Sequence, residues 1–281
     1  MLIIDSQVHI WAADTPARPW PKPGVGGRTA KAHLDIPISK DSLLAEMDKA
    51  GVDGVVIVPP SWEGEYNDLA LEAAQSHPNR FAVMGRILHD QPDGPSLIAN
   101  WKSQQGMLGV RLILADGSPW VDAGSGHWLW SSAEAAGVPI TLAPRGNYGF
   151  LEEIAERYPD LRLSIDHMGA NSAKKDGDAF IHLEQLLQLA TYPNIAVKTS
   201  GLPCVSSSPY PFESVHGYLR QVYDAFGPKR MFWGTDLSRL PCSYTEAITM
   251  FTQGIPWLSA ADLEWIMGRA ICEWFGWKRT A

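Results

Sequence analysis

Leu2-Ile3-Ile4-Asp5-Ser6-Gln7-Val8-His9-Ile10-Trp11 opens the chain as an apolar run that turns polar on alternate residues. An apolar run of this length reads as a buried parallel strand. A side-chain period of two points Gln7 and His9 to the same side. Near the other end, Met231-Phe232-Trp233-Gly234-Thr235-Asp236 has the same form, an apolar strand that finishes on an acid. If first and last strands are neighbours in a closed parallel barrel, His9 and Asp236 meet at one mouth.

Working outward from these two runs, apolar strand-like segments alternate with helical patterns along the whole chain. Strands are expected over Ile3–His9, Gly54–Pro59, Phe81–Ile87, Leu108–Leu114, Val138–Leu142, Leu161–Ile165, Ile195–Thr199 and Met231–Thr235. A helix follows each, such as Ser39–Ala50 with Ser39 or Asp41 as cap and Gly51 as stop. Ser259 and Asp262 have capping-box spacing at the head of the last helix, Ser259–Trp274. Alternation of this kind calls for a parallel sheet. At 281 residues the simplest closure is one (β/α)8 TIM barrel, a single domain over 1–281, with an open doubly wound sheet as the alternative. The Pro- and Gly-rich segment from Trp11 to His33 is long for a structureless loop, and we read it as a cover over the mouth.

Composition narrows the function classes. Hydrophobic residues at 45% and charged residues at 19% suit a globular protein with a large core. A net charge of −8 with scattered basic residues argues against nucleic acid or an anionic membrane surface as partner. Cys204, Cys242 and Cys272 lie far apart, which suggests reduced thiols and a cytoplasmic location. No stretch has the apolar length of a membrane span. A G-x-S-x-G elbow, a P-loop, a G-x-G-x-x-G turn after a strand and an H-E-x-x-H helix are all missing. Trp265, Trp274 and Trp277 could form a homo-oligomer contact or cover outer helices.

Barrel chemistry sits at the C-terminal ends of strands. Those ends supply Gln7, His9, Trp62, Arg86, Arg111, Arg145, His167, Lys198 and Asp236, with Tyr148 in the turn after Arg145. Two imidazoles and a carboxylate can position and deprotonate a water. Each has a plain alternative, since a strand-end His can bond a backbone carbonyl and Asp236 can cap the next segment. Arg86, Arg111, Arg145 and Lys198 could bind a substrate carboxylate or pair with acids inside the barrel. Trp11, Trp20 and Trp62 could line an apolar pocket or pack the loops.

Ile4-Asp5-Ser6-Gln7-Val8-His9-Ile10-Trp11 resembles the opening strand of the amidohydrolase superfamily, in particular its amidohydrolase-2 branch, which begins with H-x-H. Ile165-Asp166-His167-Met168-Gly169 resembles the branch's D-H-x-G turn, and Phe232-Trp233-Gly234-Thr235-Asp236 its W-G-T/S-D strand. Val197-Lys198-Thr199-Ser200-Gly201 and the closing Gly268-Arg269-Ala270 are weaker echoes, in the same order. The resemblance implies the (β/α)8 fold and hydrolysis of amides, esters or lactones, often with one or two divalent metals. A subgroup opens sugar-acid lactones or pyrone dicarboxylates, some of its members without metal, while other branches decarboxylate. By position, Asp236 corresponds to the water-activating acid, and His9 and His167 to strand-end imidazoles.

This chain departs from that pattern. Gln7 replaces the first His of H-x-H, and Leu142 lies near where metal-binding relatives place another His. A neutral amide is a poor zinc ligand. The expectation is therefore a lactonase-like hydrolase of a small carboxylated substrate with no cofactor. Asp236, His167 and His9 are its catalytic groups, and Gln7, Trp11, Trp62, Arg86, Arg111, Arg145, Tyr148 and Lys198 its substrate-binding set. The alternatives are one zinc or manganese ion on His9, His167 and Asp236, a metal-dependent decarboxylase on the same scaffold, or a silent small-ligand binder.

Overall fold

The computed structural model describes residues 1–21, 31–115, 117–121 and 127–279. Eight strands pair in parallel in chain order: β1 (Ile4–Val8), β2 (Gly54–Ile57), β3 (Phe81–Gly85), β4 (Met107–Ile113), β5 (Ile140–Ala143), β6 (Leu163–Ile165), β7 (Ile195–Ser200) and β8 (Met231–Gly234). With helices between them, this is a (β/α)8 TIM barrel. The strands are shorter at several C-terminal ends than their apolar runs suggest. The backbone leaves the extended region there to aim side chains at the mouth.

β8 meets β1 through a side chain rather than a full ladder. Thr235 N–H donates to Asp5 Oδ1 at 2.9 Å, Tyr244 O–H to Oδ2 at 2.8 Å, and the Thr235 hydroxyl also donates to Oδ2. One backbone bond, Asp236 N–H to the Gln7 carbonyl at 2.9 Å, completes the seam. Gly234 has no alternative here, because a Cβ would stand 2.9 Å from Asp5 Oδ1 and closer still to Ser6. Burial pushes the Asp5 carboxyl up to about 6 against the pull of its hydrogen bonds.

Two apolar clusters flank the sheet. The larger lies between strands and helices and includes Val55, Ile57, Phe81, Val83, Ile195, Val197 and Trp233. The smaller takes alternate strand residues, Ile4, Val56, Val58, Ala82, Met84, Ala196 and Phe232, with Ile271, Phe275 and Trp277 of the last helical stretch. It fills the barrel interior, and that stretch plugs the N-terminal end, where the Trp277 ring abuts Gly54 at the start of β2. The β1–β2 register is irregular between Asp5 and Val8. This shifts the side-chain phase, so Ile4 packs inside while Gln7 and His9 line the mouth.

Local signals explain the helix ends. Ser39 caps Lys40–Ala50 with a reciprocal Ser42 bond, and Gly51 closes it at φ 74°. Ser259 and Asp262 form the expected capping box. The helix expected over Ser259–Trp274 is interrupted by a π-helical stretch, Trp265–Arg269. Gly268 in that stretch lies against the Leu2 carbonyl, so close that a side chain would collide. Trp274 packs beside Phe232 and under Arg162, and Trp265 under Arg269. No helix among the described residues is long and apolar enough to cross a membrane.

The proline-rich segment folds back at its described start. Arg18 ties it down, donating from Nε to Glu63 at 3.0 Å and from both Nη atoms to Asp68 at 2.7 and 2.8 Å. Trp20 Nε1 donates to the Ala12 carbonyl, so this ring packs the loop on itself. His33, at the far end, reaches the barrel mouth. The middle of the expected cover, residues 22–30, lies outside the described residues.

Candidate active site

A cavity of about 530 Å³ opens at the C-terminal ends of the strands. Gln7, His9, Trp62, Arg111, Arg145, His167 and Asp236 line it, together with His33 and Arg239. Three of these side chains leave the backbone at left-handed angles: Arg145 at φ 50°, His167 at φ 53° and Asp236 at φ 54°. Non-glycine residues seldom adopt that region, and such strain gathers where a site must be held in one geometry. His167 is followed by Met168 at φ 53° and Gly169 at φ 68°, a tight turn that lifts the imidazole over the strand end.

The first and last strands meet as expected. His9 Nε2 stands 3.2 Å from Asp236 Oδ1, with only 9% and 4% of the two side chains exposed. His9 Nδ1 lies 2.6 Å from the Val58 carbonyl, which can only accept, so Nδ1 carries the proton. Asp236 Oδ2 faces Arg239 at 3.6 Å. Burial works to raise the Asp236 carboxyl, but His9, His167 and Arg239 overcome it and hold the group well below the usual carboxylate range. Asp236 Oδ1 accepts no well-formed hydrogen bond among the described residues.

A buried charge cluster forms part of the cavity floor, with Arg111 and Asp166 on the lining and Lys198 behind them. Asp166 receives Arg111 Nε at 3.0 Å and pairs with Lys198 Nζ at 3.1 Å. Burial works to raise this carboxyl, and the two cations reverse it, leaving it at about 2. Lys198 also donates to Gln7 Oε1 at 2.8 Å. That bond fixes the amide oxygen and leaves Gln7 Nε2, buried and with no protein partner among the described residues, as the free donor of a residue on the cavity lining. His167 is half-buried, desolvation lowers its proton affinity, and its Nδ1 lies 2.8 Å from Ser200 Oγ and 3.3 Å from the Ser200 carbonyl.

Several side chains expected to bind substrate lie elsewhere. Lys198 is wholly buried and bridges Gln7 and Asp166 instead of lining the cavity. Arg86 is engaged by Glu65 at 2.8 Å from Nε. Tyr148 is buried under the His167 turn, its O–H against Gly169. Trp11 packs edge-on to Trp62, 5.3 Å between centroids, behind the lining ring. The ligand set suggested for a metal also shifts. Ligand atoms of His9, His33 and Asp236 lie within 4.8 Å of one another, and His167 is not in that group. His33 sits in the proline-rich segment with no motif around it, so nothing in the sequence marked it. Arg239 carried a faint signal, three residues beyond Asp236 in the turn that follows β8.

The Amidohydrolase family model matches residues 4–277, and the chain belongs to that family. A barrel with an enzyme's site at its C-terminal mouth is the class this defines. Among curated relatives, L-fucono-1,5-lactonase of Burkholderia ambifaria is 29% identical over 253 residues, 84% of this chain and 81% of that one. A probable 2-pyrone-4,6-dicarboxylic acid hydrolase of Acinetobacter baumannii, solved with citric acid bound, superposes with a TM-score of 0.78 at 21% identity, covering 98% of this chain and 100% of its own. An amidohydrolase of Burkholderia multivorans with bound zinc gives a TM-score of 0.78 at 22% identity, covering 98% and 99%. The protein is an enzyme of the amidohydrolase type.

Proposed function

We propose that the enzyme hydrolyses a lactone that carries a carboxylate, through a water deprotonated by Asp236. The observation that carries this reading is the polarity of the cavity. An ionised carboxylate with an unpartnered oxygen stands on one wall. The guanidinia of Arg111, Arg145 and Arg239 gather on the lining as well, and burial together with the other two lowers Arg145's hold on its proton. Asp166 already engages Arg111, so an incoming anion would seat best on Arg145 and Arg239. The lactonase relative supports a cyclic ester as the electrophile.

In this reading Asp236 takes a proton from water, and the hydroxide oxygen bonds to the lactone carbonyl carbon. The oxyanion that forms accepts hydrogen bonds from Gln7 Nε2 and from His167 Nε2, whose proton is placed there when Ser200 donates to Nδ1. The ring C–O bond then breaks, and Asp236 returns the proton to the departing oxygen. An ester carbonyl suits a carboxylate base of low proton affinity better than an amide does, because the leaving alkoxide needs less help.

The test is a panel of five- and six-membered lactones with and without a carboxylate, followed by product NMR. Ring opening with release of acid is expected, fastest on carboxylated members. Release of carbon dioxide instead would assign the site to a decarboxylase, and ligand-induced melting shifts without turnover would make it a binder.

A further inference from the structure

His9 poses a problem of charge that its neighbours answer. Its Nδ1 must donate to the Val58 carbonyl at 2.6 Å, which leaves Nε2 facing Asp236 Oδ1 at 3.2 Å. A nitrogen lone pair and a carboxylate lone pair at that distance repel unless positive charge lies between them. A second ring proton would serve, but a third group converges on the same point. His33 Nδ1 is taken by Ser238 Oγ at 2.8 Å, so its Nε2 is the nitrogen left for a ligand. The Trp62 ring packs against both imidazoles, with centroid separations of 5.6 Å to His9 and 4.6 Å to His33. A proton needs two partners; two imidazoles and a carboxylate converging on one point suit a metal ion.

We infer that His9, His33 and Asp236 form a site for one divalent cation of the zinc type, with His33 supplying the ligand that Gln7 cannot. Zinc bonds imidazole nitrogen and carboxylate oxygen at about 2.0–2.1 Å, which sets neighbouring tetrahedral ligands about 3.3 Å apart. The His9–Asp236 separation of 3.2 Å already matches. Ligand atoms of the three residues lie within 4.8 Å of one another, and His33 stands outside every helix and strand. Asp236 Oδ1, in a residue only 3% exposed and with no hydrogen-bond partner among the described residues, is the atom aimed into the site. The expectation of no cofactor rested on Gln7 and Leu142 and did not weigh His33, a residue of the loop after the first strand.

The test is zinc binding itself, by calorimetry and elemental analysis on the untagged full chain after chelator treatment. One equivalent is expected, and His33→Gln should weaken its affinity at least tenfold, the loss typical of a damaged zinc site. His167→Gln should bind zinc as the parent does. Replacing zinc by cobalt should give visible absorption of tetrahedral intensity that is lost in His33→Gln. No stoichiometric binding, or binding unchanged in a folded His33→Gln, overturns the site. These readouts are independent of turnover, so the site can fail while the lactone reading stands, and the reverse.

Discussion

Lys198 has no exposed surface and divides its ammonium between Gln7 and Asp166. Its place at a strand end suggested contact with substrate, whereas its length lets it thread the interior and orient the amide of Gln7, a residue on the cavity lining. Lys198→Met would leave Asp166 with Arg111 alone and release Gln7. Breaking a buried pair in this way costs about 3–5 kcal/mol, read as a fall in melting temperature or urea midpoint. Asp236→Asn keeps the shape but cannot take a proton, so kcat should fall by about 10²–10⁴ with the fold retained. A folded Asp236→Asn with near-native turnover would remove Asp236 from the proposed chemistry. Arg145→Ala should raise KM for carboxylated lactones much more than for uncharged ones.

At the scale of elements, the β8–β1 seam is the place where the barrel depends on side chains. Asp5 accepts from the Gln7 and Thr235 backbone N–H groups at 3.0 and 2.9 Å and from Tyr244. Asp5→Ala strands those buried donors, each worth about 1–3 kcal/mol, so a loss of several kcal/mol is expected in chemical denaturation. Gly234→Ala forces a Cβ against Asp5 and Ser6 and should cost about 1–3 kcal/mol or more. Because the strand carrying Asp236 is held to the strand carrying His9 by this seam, the Gly234 variant should also lose activity beyond its loss of folded protein. Helices were legible at their ends wherever a capping serine or a left-handed glycine marks them, as at Ser39 and Gly51. The π-helical interruption at Trp265–Arg269 was not, because it answers to the Leu2 carbonyl packed against Gly268.

For the molecule as a whole, acid sensitivity follows from its buried carboxylates. The Asp166 carboxyl is held at about 2 in the fold against 3.8 for the ordinary group. The unfolded chain binds that proton first, so the stabilisation is full above about pH 4 and is lost as pH falls toward 2, about 2 kcal/mol in all. Asp5 has the opposite sign: held up at about 6, it costs the fold stability as pH rises from about 4 to 6. Stability measured between pH 2 and 4 should therefore rise with pH in the parent and rise less in Asp166→Asn. An unchanged slope in the variant would show that Asp166 is not held low.

The sequence by itself determined the barrel and the meeting of His9 with Asp236. Apolar runs of strand length alternating with helical periodicity admit few closures, and once the first and last runs are neighbours the polar residues that end them fall at one mouth. It also carried the family, in short motifs spread across most of the chain. Only the tertiary structure decided which long side chains reach the cavity. Lys198 and Arg86 end on Asp166 and Glu65 and stay off the lining, whereas Arg111 lines the cavity even while it pairs with Asp166. Where each side chain's end comes to rest is set by the packed barrel and not by its place in the sequence. Only the tertiary structure, too, brought His33 beside His9 and Asp236, since a loop residue's position is set by what it packs on, here Trp62 and Ser238, and leaves no periodic trace in the chain.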